Sequence, residues 1–116
     1  MITYYWYKRC STCLKAKAWL DQEGIEYDII DMVETPPTKE QFVEWINNND
    51  LPLRRYFNTS SLVYRKEGLK DKIDGMSVEE AAERLSQNGM LIKRPLIIHN
   101  GKVILGFKES EYEQLK

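Results

Sequence analysis

The hydrophobic period of this chain changes twice between Ile2 and Met32, and that double change restricts the fold more than any other feature. "ITYYWY" (Ile2 to Tyr7) is rich in β-branched and aromatic residues and reads as a short strand. From Ser11 the apolar spacing becomes helical: Leu14 and Ala18 are four apart, and Ala16, Trp19 and Leu20 recur at three and four. Gly24 stands where a helix of this kind ends. "IEYDIIDM" (Ile25 to Met32) then reads as a second strand. Strand, helix and strand in so short a span form a βαβ unit, which crosses over right-handedly and sets its two strands parallel.

Both cysteines of the chain lie inside this unit, in "YYWYKRCSTCLKAKAWL" (Tyr4 to Leu20). Cys10 falls where the strand ends and Cys13 in the first turn of the helix. Zinc usually takes a second Cys or His pair, and the single histidine, His99, is far along the sequence, so no metal is expected. A structural bridge would close a loop too small to stabilise much. A working redox pair fits better. The free amide N–H groups and positive dipole end of a helix N-terminus stabilise a thiolate, the reactive form of the sulfur. Cys10 is therefore the candidate attacking sulfur, with Lys8 and Arg9 adding positive charge before it. Cys13, one turn on, is placed to resolve a mixed disulfide on Cys10. The bland alternative is that two small side chains merely pack there.

"ETPPTKE" (Glu34 to Glu40) interrupts regular structure, because consecutive prolines cannot supply helix or sheet hydrogen bonds. Three helical segments follow. Phe42, Trp45 and Ile46 mark one and form its own small core; a second spans about Ser61 to Glu67; a third begins at the capping pair Ser77 and Glu80 and buries Val78, Ala81, Ala82 and Leu85. Asn88 and Gly89 suit a left-handed end to it. "PLIIH", "NG" and "KVIL" then read as a hairpin on a type I′ turn, followed by a short helix from about Glu109 to Leu115. The expected architecture is α/β: a mixed sheet with flanking helices and an all-helical insertion. We expect one domain over 1–116, with its core in 1–33 and 93–116 and the insertion in 34–92.

Seventeen Lys plus Arg against eighteen Asp plus Glu give a formal charge of −1, so no overall field draws the chain to nucleic acid or anionic lipid. The aromatic run Tyr4 to Tyr7 accordingly reads as strand packing, "KEGLKDK" (Lys66 to Lys72) as wet surface, and His99 as a solvated turn residue. No apolar run reaches a membrane span, and "MITYYWYKRC" lacks the basic-then-apolar order of a signal peptide. A cytoplasmic monomer is expected, with neither membrane nor direct nucleic-acid contact.

The pattern resembles the thioredoxin superfamily, and in detail its arsenate reductase-like (ArsC/Spx) branch. "CSTCLKAKAWL", the helical block after the second strand, "FNTSSLVYRKEGL" (Phe57 to Leu69) and "KRPLII" (Lys93 to Ile98) carry that resemblance over nearly the whole chain. It implies a thioredoxin-like fold with a cis Pro95 against the cysteine loop. It also implies arginines that hold an oxyanion substrate. Arg94 matches one such position, but Ser60 stands at a second and Phe107 with Lys108 at a third, while "YKR" replaces an Asn-Pro pair; Arg65 is nearby in sequence without a firm alignment. Losing a charged contact costs on the order of 1.5–3 kcal/mol, so these departures weigh against arsenate more than against thiol redox chemistry.

Two functions follow from the resemblance. One is a thiol–disulfide oxidoreductase acting on an oxyanion or a protein disulfide. In that case Arg94, Lys8, Arg9, Ser11 and Thr12 are the candidates for binding an anionic substrate, no cofactor is bound, and an external thiol of the glutathione, glutaredoxin or thioredoxin type returns the electrons. The other is a redox-sensing regulator of the Spx type. Its partner would be the C-terminal domain of the RNA polymerase α-subunit, and the Cys10–Cys13 disulfide would be its switch.

Overall fold

The computed structural model describes residues 1–116, which divide into two compact units: Met1–Met32 with Arg94–Lys116, and Val33–Lys93.

In the first unit, β1 (Ile2–Trp6), α1 (Ser11–Gln22) and β2 (Asp28–Asp31) form the βαβ motif, and the hairpin strands β3 (Leu96–His99) and β4 (Lys102–Leu105) complete a sheet of order β2-β1-β3-β4. β1 runs parallel to β2, with Tyr4 opposite Ile29, and antiparallel to β3, with Tyr4 opposite Ile97. The mixed sheet with flanking helices read from the sequence is the architecture found. Central β1 is buried on both faces, which is why Tyr4 and Tyr5 are both inside despite being adjacent. Tyr4 joins Ala16 and Leu20 of α1, Ile97 and Ile104 of the hairpin, and Tyr112 of α5 (Glu109–Tyr112) in one core. Trp19 packs edge-on against Tyr112 with centroids 5.7 Å apart, and its Nε1–H donates to Glu109 at 3.1 Å.

Local chemistry sets the element ends. Gly24 takes a left-handed φ of 69°, and the Ile25 N–H reaches back to the Leu20 carbonyl at 3.0 Å. That hook occupies residues just after the helix, so β2 begins at Asp28 and not at Ile25. Asn100 and Gly101 have φ of 52° and 79°, the backbone a type I′ turn requires.

The apolar residues that mark α1 do not all face inward. Leu14 is 49% exposed and Ala18 is exposed as well; the inward stripe is Cys13, Ala16 and Leu20. The helix is turned so that a sulfur, not the leucine, faces the sheet.

The second unit is helical: α2 (Lys39–Asn48), α3 (Leu62–Lys66) and α4 (Val78–Gln87), joined by 3₁₀ turns. Thr38 and Gln41 form a reciprocal capping box on α2, and Phe42 meets Trp45 edge-on at 5.3 Å. α2 packs on α4, whose Ala81, Ala82 and Leu85 are buried while Val78 is only half so. The expected left-handed end at Asn88 and Gly89 is absent. Asn88 is extended (φ −151°), because its side chain accepts the Met90 N–H at 3.0 Å and starts a 3₁₀ turn instead. A short antiparallel contact pairs Phe57 with Ile92, supported by the Asn58 N–H to Leu91 carbonyl bond at 2.7 Å.

Candidate functional site

Cys10 is the N-cap of α1: its backbone is extended, and its Sγ accepts the Cys13 N–H at 3.4 Å. The Cys10 N–H donates to the Tyr7 carbonyl at 3.0 Å, and its own carbonyl takes the Leu14 N–H at 3.0 Å, so the turn is held from both sides. No acidic residue lies in the first turn of α1, which leaves the positive end of the helix dipole to the sulfur. Cys10 is half-buried and Cys13 fully buried, both as free thiols. An exposed edge on one sulfur and a sealed neighbour one turn on is an arrangement in which only the first can meet an incoming molecule.

The buried thiol is tuned by opposing influences. Burial pushes Cys13 up to about 12, Cys10 beside it adds to the rise, and a hydrogen bond from the Tyr7 backbone and the charge of Arg94 pull the other way. Cys13 is thus a protonated thiol at neutral pH. Its carbonyl accepts the Tyr4 hydroxyl at 2.6 Å in the interior, which ties the first turn of α1 to β1. Burial, with the Cys13 charge as a smaller contribution, raises both Tyr4 and Tyr112, so neither phenol ionises near neutrality.

Arg94 is half-buried, with its guanidinium carbon 5.1 Å over the Tyr7 ring. The following peptide bond, Arg94–Pro95, is cis, and Pro95 is buried. Lys8 and Arg9 are exposed in the turn between β1 and α1, and Ser11 and Thr12 are exposed in the first turn of the helix. His99 closes β3 opposite Ile2, at the end of β1 remote from the cysteine turn, with Nε2 3.4 Å from the Asn100 amide nitrogen. No three His, Cys, Asp or Glu side chains converge to hold a metal ion. No helix is long and apolar enough to cross a membrane.

Two contributors escaped the sequence. Tyr7, read as strand packing, uses its main chain on both cysteines and its ring on Arg94; Tyr4 anchors the Cys13 carbonyl. The aromatic run was visible, but its pairing with a residue from the far end of the chain was not.

The family model for the ArsC family matches residues 5–115. The uncharacterized protein YusI of Bacillus subtilis is 45% identical over 113 residues, covering 97% of this chain and 96% of its own. The global transcriptional regulator Spx of Streptococcus agalactiae is 28% identical over 111 residues, 96% of this chain and 80% of its own. The crystal structure of a possible arsenate reductase from Streptococcus mutans superposes with a TM-score of 0.89 at 46% identity, covering 93% of this chain and 92% of that one. With a family match over nearly its full length and relatives of this similarity in sequence and structure, the chain belongs to the ArsC family.

Proposed function

We propose that this protein is a thiol–disulfide oxidoreductase in which Cys10 attacks and Cys13 resolves. The observation that carries the reading is the pairing of a half-buried sulfur capping α1 with a fully buried thiol whose N–H it accepts. The Cys10 thiolate attacks one sulfur of an oxidised substrate, a new S–S bond forms, and the other substrate sulfur leaves as a thiolate. Cys13 then loses its proton and attacks Cys10, releasing the second half of the substrate and leaving the internal disulfide. An external thiol of the glutathione, glutaredoxin or thioredoxin type supplies the two electrons that reopen it. Arg94, with Lys8, Arg9, Ser11 and Thr12 around the turn, orients an anionic substrate, and the protein works as a monomer in a reducing cytoplasm.

The similarity to Spx regulators favours a second reading, in which the same disulfide alters the surface this chain presents to the C-terminal domain of the polymerase α-subunit. A coupled assay that follows consumption of thiol reductant with a protein disulfide or arsenate separates the two. Turnover abolished by Cys10→Ser supports the oxidoreductase. Redox-dependent capture of the α-subunit domain without turnover replaces it with the regulator.

A further inference from the structure

Within the helical unit, a depression of about 410 Å³ is lined by Pro52, Arg54, Arg55, Phe57, Thr59 and Lys93. Three of those six residues are cationic and none is acidic, on a chain whose formal charge is −1. Pairing of Phe57 with Ile92 and the Lys93 N–H to Tyr56 carbonyl bond at 2.9 Å fix the two backbones that flank it. Arg54 is anchored at one side: it donates to the Tyr64 hydroxyl at 2.8 Å, the Lys70 carbonyl at 3.0 Å and Asp74 at 3.2 Å. Arg55 and Lys93 are exposed, and neither side chain takes part in a hydrogen bond or an ion pair. Exposed Pro52 gives the depression an apolar floor, with Phe57 packed beneath it at 1% exposure.

We propose that this depression is a docking site for an acidic peptide segment of a protein partner, one that alternates carboxylate and apolar side chains. Two unpaired cations beside an apolar floor suit a ligand that brings both a carboxylate and a greasy group, and a basic cluster of this kind is how proteins read acidic motifs. The shallow, open form suits a peptide side chain more than a small molecule, which proteins usually enclose. A nucleic-acid strand fits less well, because three cations around an apolar floor track a phosphate backbone poorly and the rest of the surface adds no positive field. The inference stands apart from the cysteine chemistry, since neither cysteine lines the depression.

The test is an NMR titration of the full chain with a blocked hexapeptide alternating aspartate and leucine, with a single-stranded oligonucleotide as the competing ligand. Peptide-induced shifts centred on Phe57, Thr59 and Lys93 are expected, weakening steeply as salt rises and unchanged in Cys10→Ser. The double reversal Arg55→Glu/Lys93→Glu is expected to weaken binding at least about ten-fold, while Lys102→Glu leaves it unaltered. Should the reversal fail to fold, the neutralising pair Arg55→Gln/Lys93→Gln gives the same reading. Absence of shifts at millimolar peptide, shifts centred elsewhere, indifference to the substitutions, or preference for the oligonucleotide would overturn the proposal. None of these outcomes touches thiol turnover, so a failure here is distinct from a failure of the oxidoreductase reading.

Discussion

The sulfur of Cys10 accepts the main-chain N–H of Cys13 at 3.4 Å, so the atom that caps α1 is also the atom we propose attacks the substrate. Structural and chemical roles therefore fall on one side chain and can be separated by substitution. Serine preserves an N-cap acceptor and alanine does not, so Cys10→Ser is expected to exceed Cys10→Ala in stability by about 1 kcal/mol in urea unfolding. Both are expected to lose turnover, because neither supplies a thiolate.

Burial of Cys13 gives the fold an alkaline weakness. Its thiol is raised from 9.0 to about 12, so the native state holds a proton that the unfolded chain releases. Between those values the native state binds more protons, and stability falls as pH rises. The contribution is complete below about pH 9 and lost on passing through about pH 12. Burial pushes Tyr56 to about 12 as well and raises Tyr4 and Tyr112 in the same direction, so all four steepen the loss. Unfolding free energy measured from pH 7 to pH 11 is expected to decline, and less steeply in Cys13→Ala.

Tyr7 holds Arg94 by its ring, and the Arg94 charge is one of the two influences favouring a Cys13 thiolate. Arg94→Met is therefore expected to slow closure of the internal disulfide from a Cys10 mixed disulfide, followed by stopped-flow. A cation–π contact is worth about 0.5–1 kcal/mol, which sets a two- to five-fold slowing for Tyr7→Leu. Tyr7→Phe keeps the ring and is expected to close at the wild-type rate.

The Tyr56 hydroxyl is buried without a hydrogen-bond partner. Removing an unsatisfied buried group lifts a desolvation cost, so Tyr56→Phe is expected to raise unfolding free energy by up to about 1 kcal/mol. A loss of stability in denaturant unfolding would mean that the hydroxyl has a partner.

What could be read from the sequence was governed by local backbone chemistry. Asn100 and Gly101 demanded a turn that little else can make, and the change of period at Ser11 put Cys10 at the head of α1. Apolar spacing marked α1 as a helix without deciding which face turns inward: Leu14 and Ala18 fit the period yet are exposed, while the Cys13 thiol joins Ala16 and Leu20 inside. Asn88 failed differently: its side chain can cap a following turn as readily as end a helix, and spacing does not decide between them. The stacking of Arg94 on Tyr7 joins opposite ends of the chain, and only the tertiary fold brings them together.

Mass-spectrometric mapping after exposure to glutathione disulfide tests the division of labour between the sulfurs most directly. In Cys13→Ser a stable glutathione adduct on Cys10 alone is expected, whereas the native chain should carry no adduct and instead hold a Cys10–Cys13 disulfide. A native chain that keeps glutathione on Cys10 without closing the internal bond, or that is modified first at Cys13, would contradict the account.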